Sequence, residues 1–305
     1  MPRTFVFTDF GGPETQELID RPASQPGPGE LAVAVRAAGV NPVDWKIRSG
    51  ALGQDRQLPA PMGREISGAV TALGEDVDGF AVGDEILAPV APGHGGFAEH
   101  TLVRAADAVA KPEGISFADA ATIPVAAATA YDATHQIKLE PGQRLLILGA
   151  GGGVGLMAAQ IGKVHQFTVI GVAGRTKRQI VESTGATFVP SGNGVADRVR
   201  ELAPDGVDLL VDLVGGEALR EVAGLVADPT RIISAADPAT ATELGGTALQ
   251  RTADAVQKIT EVIEYGLVDP HVTACYPLAE AGRAIAEVEA GHATGKIVIE
   301  PAPVC

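Results

Sequence analysis

Cysteine is almost absent from the chain: Cys275 and Cys305 are the only two in 305 residues. Two thiols cannot build a disulfide framework, and their scarcity fits a reducing compartment. Basic residues are also short, with 23 Lys and Arg against 38 Asp and Glu, a formal net charge of −15. A surface of that sign repels phosphate backbones and anionic membranes, so neither nucleic acid nor a membrane is expected as a partner. Long apolar runs are missing too. The longest, residues 145–159, is broken by five glycines and is too short to cross a bilayer. The opening Met1-Pro2-Arg3-Thr4-Phe5 lacks the apolar core of a signal peptide. These absences together point to a cytoplasmic protein.

What is present is a globular composition, 46% hydrophobic and 20% charged, with 38 glycines and 21 prolines scattered as turn formers. Up to about Gly114 the texture is that of β structure. Residues 31–40, 66–73 and 85–90 read as strands, punctuated by Gly74-Glu75-Asp76, Gly79 and Gly83-Asp84. From about Ile115 short apolar runs alternate with helical patterns. Strands are expected at 144–148, 167–172, 207–213 and 231–234, and helices at 154–163, 177–184, 195–202 and 218–226. That alternation argues for βαβ units and a parallel sheet. A helix at 253–265, a strand at 272–276, a helix at 278–289 and a strand at 296–300 complete the chain. No linker or repeat separates the parts, so two domains sharing an interface and a cleft are expected.

The strongest motif follows the first of the parallel strands. Gly149-Ala150-Gly151-Gly152-Gly153-Val154-Gly155 stands between that strand and an apolar helix. Missing side chains let backbone approach a pyrophosphate, and the amides at the helix N-terminus stabilise its charge. An NAD site adds a carboxylate at the end of the second strand, about 20 residues on, to hold the ribose hydroxyl. Here that strand ends in Ala173-Gly174, followed by Arg175, Lys177 and Arg178. Cations at a helix start oppose its dipole. The basic cluster therefore reads as a clamp for the 2′-phosphate of NADPH, against the plainer alternative of a solvated helix start.

The chain resembles the medium-chain dehydrogenases/reductases over nearly its whole length. The resemblance is carried by Ala38-Gly39-Val40-Asn41-Pro42-Val43-Asp44-Trp45-Lys46, Gly63-Arg64-Glu65-Ile66-Ser67-Gly68, Val82-Gly83-Asp84, Gly95-Gly96-Phe97-Ala98-Glu99, Ile123-Pro124-Val125, Thr129-Ala130-Tyr131, Tyr276-Pro277-Leu278 and Gly295-Lys296-Ile297-Val298. Their order and spacing weigh more than any single match. It implies an α/β protein with a GroES-like β-rich catalytic domain, residues 1–115 and 266–305, and a doubly wound Rossmann domain, residues 116–265. It also implies a homodimer, and Thr129, Val214 and Ser234 as cofactor contacts beside Gly151, Gly152, Gly153, Val154, Gly155, Gly174, Arg175, Lys177 and Arg178.

Zinc-dependent relatives carry a cysteine where this chain has Asn41 and a histidine where it has Arg64, with Val125 and Ala126 near the third ligand position. None of the six histidines pairs with another at ligand spacing, so no metal is expected. The resemblance then favours the zinc-independent quinone oxidoreductase and enone reductase branch. Its substrate would be a small electron-poor quinone or α,β-unsaturated carbonyl, reduced by NADPH. Asn41 as an amide donor and Lys46 as a cation are the catalytic candidates. A turn cap at Asn41 and a solvated lysine at position 46 stand as the alternatives. Two rival functions also remain at this point: an NADPH-binding sensor with little turnover, and a zinc alcohol dehydrogenase.

Overall fold

The computed structural model describes residues 1–291 and 293–301, and Cys305 lies outside the described residues. The chain divides into two units, residues 1–125 with 272–305, and residues 126–271. The first break falls ten residues beyond the expected 115/116 boundary, because Phe117–Ala120 is a helical turn belonging to the first unit. The Ser67 hydroxyl donates to the Phe117 carbonyl (2.6 Å), tying that turn to the β-rich part.

In the first unit, Glu30–Gly39 is the central strand. Leu31, Val33 and Val35 are buried while Ala32, Ala34 and Arg36 are not, the alternation that one covered sheet face requires, and the strand is buried on both sides from Ala37 to Gly39. Glu65–Leu73 and His100–Arg104 pair with it antiparallel. Lys296–Glu300 joins its other end, so the last described strand is stitched to an early one. The full seven-stranded sheet runs Val272–Pro277, Lys296–Glu300, Glu30–Gly39, Glu65–Leu73, Glu85–Pro89, Val109–Ala110, with His100–Arg104 beside Glu30–Gly39. A small sheet of Gln16–Asp20, Arg3–Phe7 and Ala60–Pro61 was not expected from the sequence. Its central strand buries Phe5 and Phe7 in the unit's core.

The second unit holds a six-stranded, all-parallel sheet. Its order is Thr187–Pro190, Thr168–Ala173, Arg144–Leu148, Leu209–Asp212, Ile232–Ser234, Thr247–Ala248. Numbered within the unit this is 3-2-1-4-5-6, the Rossmann order, which reverses direction between Arg144–Leu148 and Leu209–Asp212. Leu145, Leu146, Ile147 and Leu148 are all buried, as a strand covered on both faces demands. Two expected helices begin with short 3₁₀ turns: Arg175–Lys177 precedes Arg178–Ser183, and Leu278–Glu280 precedes Ala281–Glu289. Among the described residues no helix is long and apolar enough to cross a membrane.

Candidate functional site

The glycine turn lies where Arg144–Leu148 hands over to the helix Gly153–Val164, beside the point of sheet reversal. Gly149 has φ +93°, a left-handed conformation that side-chain-bearing residues resist. Gly155 is required for a different reason. A Cβ there would lie 2.4 Å from the Gly149 carbonyl oxygen and 2.6 Å from Ala150 Cα. Its bareness lets the first helical turn close onto the strand–helix loop. A Cβ on Gly152 would meet nothing nearer than 3.7 Å, and one on Gly174 nothing within 4 Å, so the surface they border is open. The first-turn amides of Gly153, Val154 and Gly155 have no carbonyl four residues back within the helix. An open glycine surface beneath orphan amides fits a pyrophosphate.

The basic run follows Thr168–Ala173 directly, and no carboxylate stands between Ala173 and Arg178. Its three cations differ in circumstance. Lys177 lies against the turn itself: a Cβ on Gly151 would fall 2.5 Å from Lys177 Cδ. Burial there pushes the Lys177 ammonium below the usual lysine range. Arg175 is exposed on the 3₁₀ turn. Arg178 is engaged along its own helix, 2.9 Å from Glu182 Oε1 and stacked over the Phe188 ring at 4.7 Å.

The opposite side of the turn is closed by a buried polar knot. Asp212 Oδ1 accepts from the amides of Val214 (2.9 Å) and Gly215 (2.8 Å), and Asp212 Oδ2 accepts from the Ser234 hydroxyl (2.5 Å). The Ser234 oxygen in turn accepts from the amides of Ala236 and Asp237. Ser234 is thus fully buried and organises the loop ends, rather than presenting its hydroxyl to a cofactor. Val214 is more than half exposed and packs beside Gly149. Thr129 is buried near the start of the helix Ala128–His135.

In the first unit the expected catalytic segment forms the short helix Pro42–Arg48. Asn41 caps it: its backbone N–H donates to Asp44 Oδ2 at 2.8 Å. The Asn41 amide, expected to face a substrate, is spent inside the protein. Its Nδ2 donates to Glu65 Oε1 (2.7 Å), with a longer contact to Gly39 O (3.4 Å), and its Oδ1 accepts from Lys296 Nζ (2.7 Å). Lys296 also donates to Val40 O (2.9 Å) and Glu65 Oε1 (3.0 Å), and Glu65 Oε2 accepts from the Val125 amide (2.7 Å). The side chains of Asn41, Glu65 and Lys296 are all buried. Gly39 makes room for it, since a Cβ there would lie 2.2 Å from Glu65 Oε1.

The sequence by itself assigns Lys296 no role. The available signal was a lysine opening the apolar run Lys296-Ile297-Val298-Ile299, because a lysine among buried residues requires an acidic or carbonyl partner. Beside the network Asp44 is fully buried, and its Oδ1 has no hydrogen-bond partner. Burial raises its carboxyl pKa to about 7, against the lowering effects of the Asn41 amide and of Lys296. Burial likewise holds the Arg64 guanidinium below its usual range. Lys46 is half-buried on the same helix, its ammonium 5.9 Å from the Trp45 ring. Trp45 itself packs on the core. Among the described residues no three His, Cys, Asp or Glu side chains come together to hold a metal ion.

Residues 27–113 match the alcohol dehydrogenase GroES-like domain family, and residues 184–299 match the zinc-binding dehydrogenase family. The chain is 27% identical over 343 residues to the human synaptic vesicle membrane protein VAT-1 homolog, covering 99% of this chain and 87% of that one. It is 30% identical over 313 residues to the quinone oxidoreductase of Sus scrofa, covering 95% of each. The solved quinone oxidoreductase of Coxiella burnetii superposes with a TM-score of 0.90 at 27% identity, over 99% of both chains.

Proposed function

This chain belongs to the medium-chain dehydrogenase/reductase superfamily and is an oxidoreductase of it, and we propose that it uses NADPH to reduce quinones or α,β-unsaturated carbonyls without a catalytic zinc. The observation that carries the cofactor choice is the end of Thr168–Ala173. Where an NAD site holds a carboxylate, the chain runs Gly174-Arg175-Thr176-Lys177, with Lys177 packed against the glycine turn. Gly152, Gly153, Val154 and Gly155 would hold the pyrophosphate, and Arg175 with Lys177 the 2′-phosphate. Bound there, the dinucleotide supplies a hydride.

The zinc-free reading rests on the charges already in place. A catalytic zinc takes three protein ligands. The position resembling the first is Asn41, whose amide is occupied by Glu65 and Lys296, and the position resembling the second is the cation Arg64. A divalent ion would have to settle beside two positive groups at close range, where Coulomb repulsion is strong. Without a Lewis acid, hydride acceptance favours substrates that are already electron-poor. Negative charge then develops on the substrate oxygen, and a cation or hydrogen-bond donor must meet it. We assign that role to Lys46, with Asn41 as a positioning residue for Glu65 and Lys296.

The relatives named quinone oxidoreductase support the acceptor class. The test follows the loss of reduced-nicotinamide absorbance with NADPH and with NADH against a panel of quinones and enones. Faster turnover with NADPH is expected, and a preference for NADH would overturn the phosphate clamp. Lys46→Met should lower kcat while leaving the Kd for NADPH unchanged. We also propose a homodimer, to be checked by light scattering on the eluting protein.

A further inference from the structure

Away from both sites, the second unit brings two imidazoles together at its surface. His135 ends the helix Ala128–His135, and His165 is the C-cap of Gly153–Val164. Their Nε2 atoms lie 3.1 Å apart. His135 Nδ1 is 2.7 Å from the Tyr131 carbonyl oxygen, which can only accept, so its proton sits on Nδ1 and its lone pair on Nε2. That is the arrangement in which a backbone carbonyl fixes the tautomer of a metal-binding histidine. Both rings are held by neighbours. Tyr131 stacks on His135 at 4.0 Å, and Phe167 stacks on His165 at 5.5 Å.

We propose that His135 and His165 form a two-imidazole site for a divalent transition-metal ion of the nickel–copper–zinc group. The ring geometry supports it. Nitrogens about 2.05 Å from a shared ion and separated by the observed 3.1 Å subtend roughly 100° at it. The ring centroids would then be roughly 4.8 Å apart, and they are found at 4.9 Å. Two lone pairs converging on one point satisfy both distances. With its proton on Nδ1, His165 also turns its Nε2 lone pair to the shared point. Water would complete the coordination, and Cu²⁺ should bind most tightly of the three. The ion would tie the C-terminal end of Ala128–His135 to that of Gly153–Val164, the helix that opens at the glycine turn.

The test is calorimetric titration of tag-free protein with Cu²⁺, Ni²⁺ and Zn²⁺ at pH 7.5 in a non-chelating buffer. One ion per chain is expected, with a Kd in the range of about 1–100 μM. Both His135→Gln and His165→Gln should weaken binding by at least about tenfold while keeping the metal-free Tm of the parent. Electron paramagnetic resonance of the Cu²⁺ form should show two nitrogen ligands, and a spectrum without nitrogen coupling would overturn the proposal. Undiminished binding in either variant, or no binding by the parent protein up to about 100 μM metal, overturns the proposal. Because the readouts are binding and spectroscopy, the result is independent of any assay of reductase activity.

Discussion

The glycine turn and the lysine network are both polar sites at strand ends, and they are built in opposite ways. The turn takes its chemistry from backbone within one continuous stretch, 149–155, and glycine is needed so that nothing stands in the way. The network takes its chemistry from side chains at positions 41, 65 and 296, closed by backbone at 40 and 125. In the turn the amides of Gly149, Ala150 and Gly152 are paired, and those of the first helical turn, Gly153 to Gly155, are left for a ligand. In the network the donors and acceptors consume one another. A site meant for a ligand leaves its amides unpaired, while a buried ion pair persists only when almost fully satisfied.

If the contrast is right, the network is where stability is most exposed. Lys296→Met strands the Glu65 carboxylate in the interior and should cost about 3–5 kcal/mol in urea unfolding. Adding Glu65→Gln should restore part of that, and a double variant no better than the single would break the ion-pair account.

Asp44 gives the next largest effect, through pH. Its folded pKa, about 7, lies above the ordinary aspartate value of 3.8, so the native state holds a proton that the unfolded chain has lost between those values. Its contribution to stability is complete below about pH 4 and is lost as pH rises to about 7. The parent protein should lose roughly 2–4 kcal/mol relative to Asp44→Asn across that window. Parallel stability curves for the two proteins would refute a protonated Asp44.

The turn should respond in cofactor affinity as well as in stability. Gly155→Ala, which collides with backbone, should lose about 2 kcal/mol of stability and at least about tenfold in NADPH affinity by fluorescence titration. Gly151→Ala meets only the flexible Lys177 chain and should be milder. The smallest effects separate the cations. Arg175→Ala should raise the NADPH Kd by about tenfold with NADH unchanged, equivalent to about 1.4 kcal/mol, while Arg178→Ala should move neither. Equal losses for both nucleotides would show that the arginine is not reading the phosphate.

Legibility in the sequence followed the same divide. The parallel strands and their helices were readable because burial of both sheet faces and one helix face imposes a local period. The small sheet of Arg3–Phe7 and Gln16–Asp20 was not, since its pairing partners come from a hairpin and from Ala60–Pro61. Asn41 reads in the sequence as an amide donor or a turn cap, and the partners of its amide, one of them a lysine 255 residues away, come only from the fold. His135 and His165 show the same limit: at 30 residues apart no spacing rule links them, and only the packing of two helix ends does.

The sequence alone determined the glycine turn, the acid-free end of the second parallel strand and the alternation that makes the Rossmann sheet. Each is set by backbone conformation or periodicity within about 20 residues. Only the tertiary structure decided which polar side chains are spent on one another: Asn41 and Lys296 on Glu65, Ser234 on Asp212, and Arg178 on Glu182. The reason is that a buried donor or charge must find its partner in space, and folding brings that partner from wherever the chain carries it.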